Sequence, residues 1–224
     1  MKTIFDFFSI RRVNLRNIIG FKRLGNWVLR PKHNRKHTGP KHPEQERTNE
    51  VFGKARKFGA AFARTMADYP AWATAATLYW AGRTGDNLMF HMNHDKLIGR
   101  VVACFHLFRF SFGPRSLPWN LEARADGNTI TITWQDNRRS PHCSPHDPLL
   151  VGVLFDNKPG KPMLVADSGV TRASCASCGI SIVLNDKQPR KIHLYPFFCN
   201  PERTEFSESQ HLEVTTDSMS LTIR

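Results

Sequence analysis

From Leu121 onward the chain alternates. In NTITITWQD, Ile130, Ile132 and Trp134 fall on one face of an extended segment, and Thr129, Thr131 and Thr133 fall on the other. LEARADG precedes this run, so two strands joined through Asp126-Gly127-Asn128 are predicted. LLVGVLFD, KPMLVA, ISIVL, KIHLYPFF and HLEV follow, each four to eight residues long and each bounded by Pro, Gly, Asn or Asp. Seven short strands with no helical period between them predict an antiparallel β-sandwich, with Trp134 as its core aromatic.

Upstream the period is different. After Pro43, apolar residues recur at three- and four-residue spacings: Val51, Phe52, Ala55, Phe58, Phe62 and Met66. Pro43 suits a first helical turn, and Glu44 and Glu46 suit the positive end of a helix dipole. The helix is predicted to stop before Pro70, which disfavours helical backbone at Tyr69. The apolar stripe reads as a packing face. AWATAATLYW, 71–80, fits a helix or a buried segment, and NLMFHMNHDKLIGRVVACF carries a second helix. CFHLFRFS, 104–111, alternates as a strand would. Near the start, NIIGFKR and NWVLR form a predicted hairpin around Leu24-Gly25. PKHNRKHTGPKHP then has no apolar residue and three prolines, which marks a loop or extended arm. The fold class expected is α+β, with a basic hairpin, arm and helices over 1–112 and a seven-stranded sandwich over 113–224.

Charge changes this picture. The chain of 224 residues carries a formal net charge of +13, and the excess is concentrated at one end. Residues 1–67 hold 16 Lys or Arg against 4 acids, a net of +12; residues 68–224 hold 16 against 15. Such asymmetry speaks to partners rather than fold. Arg11, Arg12, Arg16, Lys22, Arg23, Arg30, Lys32, Arg35, Lys36 and Lys41 are the candidate phosphate contacts. Phe21 and Trp27 lie among them, and Trp27 can serve either as a stacking platform for unpaired bases or as hairpin core. The reading favoured is a binding or structural protein that contacts nucleic acid without sequence specificity. The alternative is a self-assembling subunit of virion or filament type, with the arm as an inter-subunit contact. An anionic lipid surface or a merely solubilising tail are the further readings of the same charge.

Other features narrow the classes. No run of 18 apolar residues occurs, so no transmembrane helix is expected. MKTIFDFFSIRR has a short apolar run broken by Asp6 and followed by Arg11 and Arg12, which is a poor signal peptide, so a cytoplasmic protein is expected. Five cysteines, odd in number and scattered, fit reduced thiols. No dinucleotide-binding, P-loop, HExxH or EF-hand motif is present, and no small-molecule substrate or enzymatic activity is expected. The one metal candidate is a zinc set of Cys143, His146, Cys175 and Cys178, the last two in C-x-x-C spacing. The plainer reading, small polar loop residues with no cofactor, is favoured because only one of the two halves has ligand spacing. His91 and His94 in HMNH read as an exposed helix face.

Taken in order, GFKRLGNWVLRP, a Pro-Glu-Gln helix start, a Phe-rich basic helix, LPWNLEARADGNTITITWQDN and HDPLLVGVLFDN resemble a family of uncharacterised basic Bacteroidota proteins. That family, a domain of unknown function, has a Gly-rich basic hairpin ending in W-x-x-R, then a TxTWxDN strand and a DxxLLVxxNxx strand. The resemblance spans roughly residues 17–215 and is most specific at TITWQDN. It implies this architecture and no activity. The C-terminal half is also similar to fibronectin type III domains at its first two strands. The chain departs from the family in its Cys and His content over 142–178 and in WATAATLYWAGRTG.

Overall fold

The structure is a computed structural model that describes residues 12–14, 18–23, 26–31, 42–126, 129–137, 139–166, 168–174, 178–181 and 190–216. By its contacts the chain divides into two units, residues 1–46 and 47–224. In the first, β1 (Arg12–Asn14), β2 (Ile18–Arg23) and β3 (Asn26–Pro31) form an antiparallel sheet in that order. The expected hairpin is β2–β3, closing at Arg23 opposite Asn26. Its Leu24-Gly25 turn and the arm at 32–41 lie outside the described residues. β1 was not foreseen, because three residues are too few to show a period.

Helix α1 (Pro43–Thr65) begins as predicted, with Glu44 and Glu46 in its first turn. Its core face is Ala55, Phe58 and Phe62, continued by Met66. The stripe is shorter than the spacing implies: Val51 and Phe52 are exposed, although the Phe52 ring meets Phe90 edge-on at 5.0 Å. AWATAATLYW resolves as α2 (Ala71–Tyr79), and the next apolar stretch as α3 (Gly85–Asn93), capped by Thr84, whose Oγ1 accepts from the Asn87 N–H at 3.3 Å. The two helices touch at Gly85, where a Cβ would lie 2.6 Å from the Ala73 nitrogen. A small hairpin of β4 (Leu97–Ile98) and β5 (Val101–Val102) follows, turning at Gly99 with φ +64°.

CFHLFRFS is not a strand. Residues Phe105–Leu107 make a 3₁₀ turn, and the chain beyond is extended without a ladder. Phe108 and Phe110 are buried. The backbone bonds go to side chains instead: Asn93 brackets Arg109 through both its amide atoms, Ser209 Oγ accepts from the Phe110 N–H at 2.8 Å, and Trp72 Nε1 donates to the Phe110 carbonyl at 3.0 Å.

The remaining strands are β6 (Trp119–Asp126), β7 (Thr129–Gln135), β8 (Leu149–Phe155), β9 (Lys158–Val165), β10 (Cys178–Ser181), β11 (Arg190–Phe198) and β12 (Leu212–Thr216). They make two antiparallel sheets, β10-β7-β6 and β12-β11-β8-β9. The protein is thus mixed α+β. In β7, Ile130, Ile132 and Trp134 are buried and the threonines between them are half-buried, as the alternation predicts.

β8 explains how the layers meet. All seven of its residues are buried. Leu149, Val151, Val153 and Phe155 pack with Leu121, Ile130, Ile132 and Trp134 of the three-stranded sheet. Leu150 and Leu154 join Phe58 and Phe62 of α1 and Phe110 in a second cluster. A strand covered on both faces reads as an unbroken apolar run. Gly152 makes room on the helical side: a Cβ there would lie 2.4 Å from the Phe110 ring. β11 divides its residues the same way, with Ile192, Leu194 and Phe198 to one cluster and Tyr195 and Phe197 to the other. Its Pro196 is tolerated because pairing with β12 ends at Leu194, two residues before the missing N–H. At the edge, β9 holds Pro159 and Pro162, preceded by Lys158 and Lys161 respectively.

Candidate nucleic-acid interface

The register of the first sheet sorts its basic residues. Arg12 pairs with Phe21, Phe21 with Val28, and Ile19 with Arg30, so Arg12, Arg23 and Arg30 hold positions on the face of Phe21. Lys22 pairs with Trp27 and belongs to the opposite face, with Gly20 and Leu29. Trp27 is half-buried, beside a glycine whose added Cβ would lie 3.5 Å from its ring and 2.9 Å from Leu29 Cδ2. Arg30 is exposed, its guanidinium carbon 5.6 Å from the centre of the Phe21 ring. Trp27 and Arg30, adjacent in the sequence argument, are therefore on opposite faces. Arg11, Arg16, Lys32, Arg35, Lys36 and Lys41 lie outside the described residues. Beyond the sheet, α1 exposes Arg47, Lys54, Arg56, Lys57 and Arg64, with Lys54 paired to Glu50 at 2.5 Å.

Of the zinc candidates, Cys143 is half-buried and its thiol donates to the Ser140 carbonyl at 3.1 Å, while His146 is exposed. Cys178 begins β10 opposite Ile132, and Cys175 lies outside the described residues. Among the described residues, no group of three or more His, Cys, Asp or Glu is placed to hold a metal. His91 and His94 are exposed at the end of α3. Among the described residues no helix is long and apolar enough to cross a membrane.

Two constellations had no signal in the sequence. The first surrounds Asp147, which is fully buried. Arg115 grips its carboxylate with two nitrogens, Nη2 to Oδ1 at 2.6 Å and Nε to Oδ2 at 3.1 Å, and reaches Glu205 at 3.0 Å. Arg172, also fully buried, brings Nε to 3.6 Å from Asp147 Oδ2 and lies over the Phe198 ring at 4.7 Å. Its other nitrogens donate to Asn137 Oδ1 and to the Ser116 carbonyl. Burial pulls this guanidinium below its ordinary range, and the Asp147 charge holds against that.

The second is a histidine pair across β11 and the start of β12. His193 Nδ1 is 3.0 Å from His211 Nε2, and the Phe105 ring stacks on His193 at 3.7 Å. Both imidazoles are held below the ordinary value of 6.5, chiefly by burial. Around His193, Glu213 and Asp156 oppose that shift and Lys191 adds to it; around His211, His193 and His106 add to it and Glu213 opposes. A base held down in the folded state binds fewer protons than when unfolded, so stability is full above 6.5 and falls as the pH drops below it. Urea midpoints measured from pH 8 down to about 5 should decline on the acid side, and His211→Gln should flatten the decline. Identical acid limbs for the two proteins would show that the pair does not carry it.

No family model matches the chain, and no curated protein matches it.

Proposed function

We propose that this is a non-enzymatic binding protein whose basic N-terminal region, residues 11–64, holds nucleic acid without sequence specificity. The observation that carries this reading is the concentration of +12 of the chain's +13 in residues 1–67. Phosphate backbones are bound through such charge by release of counterions. The register of the first sheet supports it by giving Arg12, Arg23 and Arg30 positions on one face of that sheet, and α1 exposes further basic residues. In this reading β6–β12 are a two-sheet scaffold related to fibronectin type III or immunoglobulin sandwiches, as in the Bacteroidota family the sequence resembles. The shared cluster between the two sheets supports that relation. In this reading α2, within the segment where the chain departs from that family, is an addition to the scaffold.

The test is fluorescence anisotropy with a labelled single-stranded oligonucleotide, on nuclease-treated full-length protein, together with light scattering. Log K is expected to fall linearly with log salt, with a slope near −0.7 per phosphate engaged. Binding that ignores salt, or no binding, overturns the reading. An oligomer that persists without nucleic acid and at high salt would replace it with the assembling subunit.

A further inference from the structure

The start of β6 is irregular. The β6–β7 register shifts between Trp119 and Glu122, and Asn120 sits at φ +51°. A bulge of this kind re-aims a side chain. The side chain re-aimed is Trp119, which is 59% exposed. Indoles are buried on average, and among the described residues no ring stacks on this one.

Trp119 forms one wall of a cavity of ≈ 420 Å³ completed by Asp136, Asn137, Arg139 and Ser140. The cavity has a rigid floor. Asn137 is 4% exposed; its Nδ2 donates to the Leu117 carbonyl at 2.6 Å and its Oδ1 accepts from the buried Arg172 at 2.8 Å. The Ser140 N–H closes the turn onto the Asn137 carbonyl at 2.7 Å. On the open side, Asn120 Nδ2 donates to Gln135 Oε1 at 2.9 Å and fixes the residue that follows the tryptophan. The buried ion cluster therefore braces a surface site that holds an exposed indole, a carboxylate and a guanidinium.

We propose that this cavity binds one unpaired base of a single-stranded nucleic acid, stacked on Trp119. Every base has a π-face for an indole, and stacking of this kind is how proteins hold unpaired bases. Arg139, exposed at the same cavity, takes the adjoining phosphate. A neutral sugar ring also stacks on indoles, but the exposed Arg139 guanidinium at this cavity favours a ligand that carries phosphate. The inference rests on the nucleic-acid reading above and gives it a base contact on the second unit, apart from the basic arm.

The experiment uses the nuclease-treated full chain and a labelled oligodeoxycytidine of about twelve nucleotides. Trp119→Ala should weaken binding about tenfold at fixed salt and leave the salt slope unchanged. It should also abolish much of the indole quenching on binding, and Trp119→Phe should restore most of the affinity. Arg139→Ala should instead lower the slope by about 0.7. Because Trp119 is exposed, the thermal midpoint of Trp119→Ala should stay at that of the parent. If the parent protein binds and Trp119→Ala binds equally with the same quenching, this inference falls and the basic-arm reading stands. If the parent does not bind, both fall. Quenching of Trp119 by maltoheptaose, with none by the oligonucleotide, would overturn the inference in favour of a sugar.

Discussion

Asp147→Ala should lower the free energy of unfolding by about 3–5 kcal/mol. The carboxylate is fully buried and is the shared counter-charge of two arginines, one of them fully buried itself. Removing it takes the main counter-charge from the buried Arg172, whose hydrogen bonds to Asn137 and the Ser116 carbonyl and contact with the Phe198 ring remain. It also orphans the Ser144 N–H, which donates to Oδ2 at 2.9 Å. Asp147→Asn keeps the shape and loses the charge, so it should cost nearly as much. Domains of this kind have about 5–15 kcal/mol in total, so the alanine variant should unfold at a much lower urea concentration. The midpoint should move with the m-value unchanged. A loss below about 1 kcal/mol would show that Arg115 and Arg172 are content with their remaining partners, and the cluster would not be a support of the fold.

Phe110→Ala is the second large effect, at about 3–5 kcal/mol. Phe110 is 0% exposed and its ring lies 4.8 Å from Phe62, 5.6 Å from Tyr195 and 6.3 Å from Phe197. It also seats on Gly152, which gives the prediction a second arm. Gly152→Ala alone should cost about 1–3 kcal/mol, because its Cβ would press into the ring. In the Phe110→Ala background the same change should be nearly neutral, since the methyl enters the cavity. A double-mutant cycle reads that coupling directly. Additive costs would mean that the ring and the glycine do not share one space in solution.

These two residues also show why parts of the molecule could be read from the sequence and others could not. β7 was legible because its two faces meet different surroundings, and Ile130, Ile132 and Trp134 record that difference at period two. β8 was legible as a strand, but an unbroken apolar run has no period, so it could not announce a helical layer on its far side. Residues 104–111 alternate as a strand would but form none, because the backbone partners of Arg109 and Phe110, namely Asn93, Ser209 and Trp72, are side chains from remote segments. The basic end was legible as charge, and period two alone separates Trp27 from Arg30, yet grouping Arg12 and Arg23 with Arg30 needed the register of β1, β2 and β3. The Arg115, Asp147 and Arg172 cluster left no trace, since no spacing rule relates positions that only the tertiary fold assembles. A bulge at Trp119 is equally silent: the strand read from the sequence begins only at Leu121, whereas β6 begins at Trp119.

The edge of the four-stranded sheet has a consequence for how copies of this chain can meet. A bare edge is a template on which another strand can dock, and sheets joined that way grow without limit. Along β9 that growth is blocked. Pro159 and Pro162 each lack the N–H a new neighbour would need, and Lys158 and Lys161 flank them with like charge. The lane is narrowed further at Gly160, where a Cβ would stand 2.8 Å from the Arg100 carbonyl, and at Pro162, whose carbonyl accepts from Thr65 Oγ1 at 3.2 Å. Fibre growth by edge-to-edge stacking on this side is therefore closed by covalent chemistry rather than by stability. A destabilised variant that still keeps β9 would retain that protection against ordered aggregation.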